Sequence, residues 1–146
     1  MKKIVIIIFS LLSIVIFSAT IKDGMRLFKE GKYKPAQEIF LEEVKQKPTA
    51  FHLYKFLIES LYRNGEDEKA IFYLNILDKN DRPYVKRFID KKIYSILLYK
   101  RGNYDKSLEL AEEGINSTKN PKEIMEFELI KCMNLLSLES FEGKSF

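Results

Sequence analysis

The chain carries GKYKPAQEIF at residues 31–40, GEDEKAIFYL at residues 65–74 and GNYDKSLELA at residues 102–111. The first two segments begin 34 residues apart, and the third begins 37 residues after the second. A period of this length is typical of stacked helix–turn–helix units, because one such unit cannot bury its apolar face alone. The sequence therefore predicts an all-α fold built from repeated helix pairs.

The residue types inside each copy support helix pairs on physical grounds. Each copy opens with a glycine between two helical runs, where a left-handed residue can end a helix at little cost. Five positions later stands a small residue, which lets two helices cross closely. These small residues are Ala36, Ala70 and Ser107. Asn120 followed by Pro121 is a good N-cap and first-turn pair, and Thr20 with Asp23 can form a capping box.

The period and these residues resemble the tetratricopeptide repeat (TPR) family over roughly residues 20–121. That family has a first-helix signature, a small residue followed four positions later by an aromatic on the second helix, and a closing proline. The first copy matches with Gly24, Ala36, Phe40 and Pro48, and the second with Tyr54, Leu57, Ala70 and Leu74. The third copy matches least well, with Leu98 in place of the tyrosine, Ser107 as the small residue and Ala111 in place of the aromatic. Other signature positions hold residues that differ from the family pattern, namely Thr20, Asp23, Leu27, Ile58, Leu61, Lys91, Tyr94 and Ser95. Pro83 and Pro121 stand later than the closing proline of the family pattern. The alternative is an unrelated array of helix pairs, which would also be all-α.

The resemblance implies a short right-handed α-solenoid of repeats at about 17–50, 51–84 and 88–121, followed by a terminal helix. The periodicity predicts about seven helices, at 20–30, 34–46, 50–64, 67–79, 83–101, 104–118 and 121–140. The segment 78–83 is rich in turn formers and predicts a loop. Residues 20–146 form one expected domain.

The N-terminal segment predicts export. Two lysines precede an apolar run from Ile4 to Phe17, which is typical of a signal peptide over residues 1–19. The run is short for a spanning helix, which needs about 20 residues. The expected location is periplasmic or extracellular. The alternative is an uncleaved anchor, residues 4–19, in the inner membrane. The Lys-, Ile- and Asn-rich composition is typical of a bacterial protein.

Charge and cysteine content exclude other classes. Two of the 25 basic residues lie in the signal segment, so residues 20–146 carry a net charge of only +2. We therefore expect no nucleic-acid binding, which needs clustered phosphate contacts. Cys132 is the single cysteine, so no intrachain disulfide can form.

No catalytic constellation stands out, and no enzyme activity, cofactor or metal is expected. His52 is the only histidine, and it is interpreted as a surface or groove residue. Cys132 lies in an apolar stretch and is interpreted as a buried packing residue rather than a nucleophile. The pairs Glu42–Glu43 and Glu112–Glu113 are neighbours on helices and point about 100° apart, so they are interpreted as solvated faces.

The sequence instead predicts a partner-binding groove. In TPR arrays the first helix of each unit lines the concave side. Helical spacing places Ile21, Met25 and Phe28 on one stripe, with two matching stripes on later helices. The candidate partner-binding residues are Phe28, Lys29, Lys55, Tyr62, Arg63, Lys92, Ile96, Tyr99 and Lys100. Aromatics beside cations suit an extended or helical peptide with acidic and apolar residues. Packing between repeats is the competing interpretation for the aromatics, and ordinary solvated surface is the competing one for the cations.

Two features limit or extend this prediction. The carboxylate clamp of chaperone-binding TPR proteins is not expected, because Met25, Glu59 and Ile96 stand at the places of its asparagines. The last helix, 121–140, is apolar over an unusually broad surface, and the residues from Gly143 to Phe146 resemble the start of another turn. Either this helix packs its broad face on the third unit, or it exposes a patch for self-association or a partner.

The predicted function is a non-enzymatic scaffold of the bacterial envelope that binds a protein or peptide partner. The first alternative is a self-associating structural subunit that uses the helix 121–140. The second is a membrane-anchored adaptor that keeps its N-terminal segment.

Overall fold

A computed structural model describes residues 20–80 and 82–142 of this chain. The expected signal segment, 1–19, and the expected turn, 143–146, lie outside these ranges. Within them the chain is helical, and no strand occurs there. The helices are α1 (Ile21–Lys29), α2 (Tyr33–Gln46), α3 (Phe51–Arg63), α4 (Asp67–Asn80), α5 (Arg82–Phe88), α6 (Lys91–Lys100), α7 (Tyr104–Ser117) and α8 (Pro121–Glu142). The predicted all-α class is confirmed.

Neighbouring helices pack against each other in chain order. Each of the pairs α1–α2, α2–α3, α3–α4, α4–α5, α6–α7 and α7–α8 is in contact. Contacts also join α4 to α6 and α6 to α8. The two helices of each of these pairs are therefore in contact although another helix separates them in the chain. The main core runs from Ala36 on α2 to Leu110 on α7, and a second cluster of Ala111, Phe127 and Ile130 joins α7 to α8.

The three turns that open the repeated segments are built alike. Gly31, Gly65 and Gly102 have φ values of 74°, 73° and 79°. In the first turn, the Gly31 N–H donates to the Phe28 carbonyl (3.0 Å) and the Lys32 N–H donates to the Leu27 carbonyl (2.9 Å). The same two bonds recur at the other glycines, and together they form the Schellman motif that ends a helix. The predicted left-handed role of these glycines is confirmed.

The small residues lie where helices approach closely, as the sequence predicts. Ala36, Ala70 and Ser107 are fully buried. The Ser107 hydroxyl on α7 donates to the Ser95 carbonyl on α6 at 2.7 Å. Gly24 on α1 serves the same purpose, because a Cβ there would lie 3.1 Å from both Ile39 and Phe40 on α2.

The expected single helix at 83–101 is wrong, because the chain forms two helices there. The Asp90 side chain accepts a hydrogen bond from the Ile93 N–H at 3.0 Å and so caps the start of α6. The expected loop at 78–83 is also wrong over its first part, because α4 continues to Asn80. The third repeated unit therefore differs from the others in having the short helix α5 before α6.

The expected helix starts at the two ends of the described chain are confirmed. Thr20 and Asp23 form a reciprocal capping box at the start of α1. At the start of α8, the Lys122 N–H donates to the Asn120 side-chain oxygen at 3.0 Å, and Pro121 occupies the first helical position.

Candidate partner-binding surface

The predicted groove aromatics are packed against other rings. The Phe28 ring on α1 lies 5.5 Å from Tyr33, 6.4 Å from Phe40 and 5.3 Å from Phe56 on α3, in each case edge to face. Such pairs contribute to packing beyond their buried area. Phe28 is half-buried and joins the first helix pair to the second. Part of the Phe28 ring is therefore buried against the core, and part of it is exposed at the surface.

Two of the predicted cations lie over aromatic rings. The Lys55 ammonium is 4.6 Å from the centre of the Phe56 ring and 5.9 Å from that of Phe88. The Arg63 guanidinium is 5.9 Å from the centre of the Tyr33 ring. All three distances fall within the range of cation–π attraction. These contacts hold the cations at the surface of α3.

Carboxylates accompany three of the predicted cations. Arg63 pairs with Glu59 at 3.4 Å, Lys92 with Glu126 at 2.6 Å, and Lys100 with Asp67. The hydrogen bond between Lys92 and Glu126 raises the pKa of the lysine and lowers the pKa of the carboxyl. Because each charge already has a partner, these cations form a surface of alternating sign rather than a purely positive row.

The remaining predicted residues differ in their exposure. Lys29 is exposed and forms no ion pair with the residues that the structure describes. Ile96 packs against the cluster between α7 and α8. Tyr62 is half-buried against the main core, and the Tyr99 ring lies 5.5 Å from Tyr104 while its oxygen accepts from Ser137 on α8 (3.4 Å). The structure thus places these residues on α1, α3 and α6, and their role in partner binding stays a prediction.

Two recesses offer room for a ligand side chain, and neither follows from the repeat pattern. A polar recess of about 290 Å³ lies between the start of α6 and the start of α8; it includes Lys92 and Glu126. An apolar recess of about 430 Å³ lies between α2 and α4. Its lining is Leu41, Lys45, Leu61, Glu68, Lys69, Phe72 and Tyr73. Phe72 is 58% exposed there, which makes it the most exposed large apolar side chain on α4.

The last helix presents apolar residues on two opposite faces. Phe127 and Ile130 are buried against α7, where the Phe127 ring lies on Gly114. Met125, Leu129, Leu135 and Leu136 are exposed. Cys132 is exposed with them, so the interpretation of this cysteine as a buried packing residue is wrong. The broad apolar surface is thus divided between the core and a free face, which no other described residue covers.

A buried polar chain fixes α8 on its neighbours. The Asn134 amide donates to the Ser107 hydroxyl at 2.9 Å, and that hydroxyl donates to the Ser95 carbonyl at 2.7 Å. Three helices, α8, α7 and α6, are linked in this way. Buried polar groups that must be paired specify one register of packing over its alternatives. Sequence reasoning did not identify this chain of hydrogen bonds.

His52 is exposed near the start of α3, in line with its interpretation as a surface residue. Within the described ranges, no group of three His, Cys, Asp or Glu residues is placed to hold a metal ion. Over the same ranges, no helix combines the length and the apolar character that a membrane span requires.

Comparison with protein-family models, with curated proteins and with solved structures found no match to this chain.

Proposed function

We propose that this protein is a non-enzymatic interaction module of the TPR type, which binds a protein or peptide partner by shape. The observation that carries the proposal is the repetition of one turn: three glycines at φ near 75° close three helix pairs with the same hydrogen bonds. Repeated pairs that pack in chain order form an extended surface, and such surfaces serve binding in repeat proteins. A short right-handed α-solenoid is the arrangement proposed here.

The proposed binding surface lies on α1, α3 and α6. Of the predicted binding residues, Lys29 and Lys55 are the cations that form no ion pair with other described residues, and Lys55 is held over two rings. Beside them stand the pairs Arg63–Glu59 and Lys92–Glu126. A partner with both acidic and apolar side chains fits this surface, because an incoming carboxylate can pair with Lys55 while apolar groups contact Phe88.

We propose export as the setting of this activity, with residues 1–19 as the signal and the bacterial envelope as the destination. The alternative is an adaptor anchored by residues 4–19. Mass spectrometry of the N-terminus in the purified protein decides between the two. A start within a few residues of Ala19 supports export with cleavage, and an intact Met1 contradicts it.

Charge reversal tests the proposed surface. The protein is first used to capture its partner from an envelope fraction, and the affinity of the identified partner is then measured by titration calorimetry. We expect Lys55→Glu combined with Lys92→Glu to weaken binding by about tenfold or more, since each change places a negative charge beside Glu59 or Glu126. The matched control is Lys79→Glu with Lys119→Glu, two exposed lysines on other parts of the surface. Unaltered binding in the first double variant, with unchanged helicity, would contradict the proposal.

The free face of α8 favours a second candidate function, a self-associating subunit. Met125 and Leu136, at 66% and 67% exposed, lie on the side of this helix away from α7. Apolar surface of this kind marks interaction sites in soluble proteins. Light scattering over a range of concentrations tests this candidate, and a monomer at every concentration would remove it.

A further inference from the structure

The exposed apolar residues of α8 follow the spacing of a coiled-coil seam. They stand at 125, 129, 132 and 136, which are steps of four, three and four residues. Met125, Leu129 and Leu136 are each more than 60% exposed, and Cys132 between them is exposed too. A repeat of alternating three- and four-residue steps is the pattern by which two helices interlock their side chains. The outer face of α8 is thus shaped for another helix.

The same seam carries opposite charges at its two ends. Lys122 lies seven residues before Leu129, and Glu139 lies seven residues after Cys132, so both continue the stripe. Both side chains are exposed, and neither forms an ion pair with any other residue in the described part of the chain. The apolar stripe is therefore bounded by one cation and one anion, each without an ion pair among the described residues.

We infer that this seam binds α8 of a second copy of the protein in an antiparallel orientation. The stripe is symmetric about the point between Ile130 and Lys131. Pairing it with its own reverse places Lys122 opposite Glu139 of the second copy, Met125 opposite Leu136, and Leu129 opposite Cys132. Each residue of the stripe then has a partner on the second helix, and an ion pair forms at each end of the contact.

A parallel pairing fits the same residues less well. It would place the two Lys122 side chains together at one end and the two Glu139 side chains together at the other, and like charges in such positions repel. The seam from 122 to 139 is only about 26 Å long, so the contact belongs to the small class of interfaces, and the dimer is weak. This inference rests on the second candidate function, self-association through α8, and adds the partner, the orientation and the register.

Disulfide trapping tests the orientation directly. Two variants are made in the full chain, Met125→Cys with Cys132→Ser, and Leu136→Cys with Cys132→Ser. Each variant is oxidised alone, and a mixture of the two variants is oxidised under the same conditions. In the antiparallel register residue 125 lies beside residue 136 of the second copy and about 16 Å along the helix from residue 125 of that copy. We expect the mixture to cross-link at least tenfold faster than either variant alone.

Charge exchange tests the register without cysteines. Sedimentation velocity gives the dissociation constant of the dimer for Lys122→Glu, for Glu139→Lys and for the two changes combined. Each single variant brings like charges together at both ends of the symmetric dimer, so we expect its dimer to weaken about tenfold. The double variant exchanges the charges and should return to within about threefold of the original. Lys119→Glu, in the loop before α8, is the matched control and should leave the dimer unchanged.

The outcomes separate failure of the inference from failure of the function on which it rests. A protein that stays monomeric at every concentration overturns both, including the case in which another segment of the same chain covers the seam. A dimer in which each cysteine variant cross-links with itself as fast as with the other overturns the antiparallel register and leaves self-association standing. A dimer that Leu129→Lys does not weaken overturns the inference as well, because its interface lies elsewhere.

Discussion

The first two helix pairs and the last helix use apolar residues in different ways. In the pairs α1–α2 and α3–α4, Phe40, Leu57 and Leu74 are at most 1% exposed, and rings from both pairs interlock. On α8, Phe127 is buried whereas Leu136 is 67% exposed. Among the described residues, a helix within the stack is covered by neighbours on more than one side, while α8 has α7 and α6 on one side only. The difference indicates that repeated pairs complete one another and that the last helix has a free face.

The largest expected effect comes from removing a buried side chain from the core of the first two helix pairs. Phe40→Ala removes a fully buried ring that stacks on Phe56 at 5.5 Å, and we expect the free energy of unfolding to fall by about 3–5 kcal/mol. Leu136→Ala, on the free face of α8, should change it by less than about 0.5 kcal/mol. Chemical denaturation of both variants measures the contrast. At a protein concentration too low for a dimer to form, a similar loss in the two would show that Leu136 is covered within one copy.

A smaller effect is expected at the contact that holds α8 in place. A Cβ at Gly114 would lie 2.4 Å from a Phe127 ring carbon, so Gly114→Val should lower the free energy of unfolding by about 2–3 kcal/mol. Chemical denaturation measures this loss too. The double variant with Phe127→Ala should cost less than the sum of the two single changes, because the smaller side chain makes room. Additive losses would mean that α8 does not lie this close to α7.

Substitution of each of the three turn glycines should change the free energy of unfolding by a similar amount. Alanine at Gly31, Gly65 or Gly102 would meet no atom within 4 Å, so its cost is that of the left-handed backbone alone. We expect each change to Ala to lower the free energy of unfolding by about 1–2 kcal/mol, and each change to Asn to cost less. Thermal or chemical unfolding of the three variants compares the units directly. A turn that tolerates alanine without loss would not share the common geometry.

The smallest effect is electrostatic and concerns the turn between α3 and α4. Hydrogen bonds from Lys34, Lys69 and Gln37 lower the pKa of Glu66 to about 2. Because this pKa lies below the value of 4.5 for a free glutamate, the stabilisation is present above pH 4.5 and is lost as the pH falls towards 2. Both lysines are largely exposed and screened, so we expect at most about 1 kcal/mol.

The measurement is stability against pH in the original protein and in Glu66→Gln. The two curves should converge between pH 4.5 and pH 2 and should approach each other at neutral pH when salt is raised. Curves that stay parallel over this range would show that Glu66 is not held by these partners.

The sequence predicts the turns and the helix pairs well because their causes are local. A glycine that must adopt positive φ, a small residue at a close crossing and a cap such as Thr20 with Asp23 act within a few residues of their own position. The break between α5 and α6 was missed, because apolar residues continue through Ile89 and only the cap at Asp90 marks the boundary.

The surface could be predicted only in part because its contacts join distant positions. Lys92 meets Glu126 across 34 residues, and Lys100 meets Asp67 across 33. These separations are close to the repeat period, so a search for opposite charges one repeat apart could have found them. The division of α8 into a buried and a free face has no such signal, since apolar residues occupy both sides and tertiary packing decides between them.

The stacking of the helix pairs is tested most directly by nuclear Overhauser contacts between the rings of Phe28 and Phe56. These residues belong to successive pairs, and their ring centres lie 5.3 Å apart. We expect strong cross-peaks between the two rings in a sample with labelled phenylalanine, and their loss in Phe56→Leu confirms the assignment. An absence of contact between these rings in the folded protein would contradict the stack, and with it the surface proposed for binding.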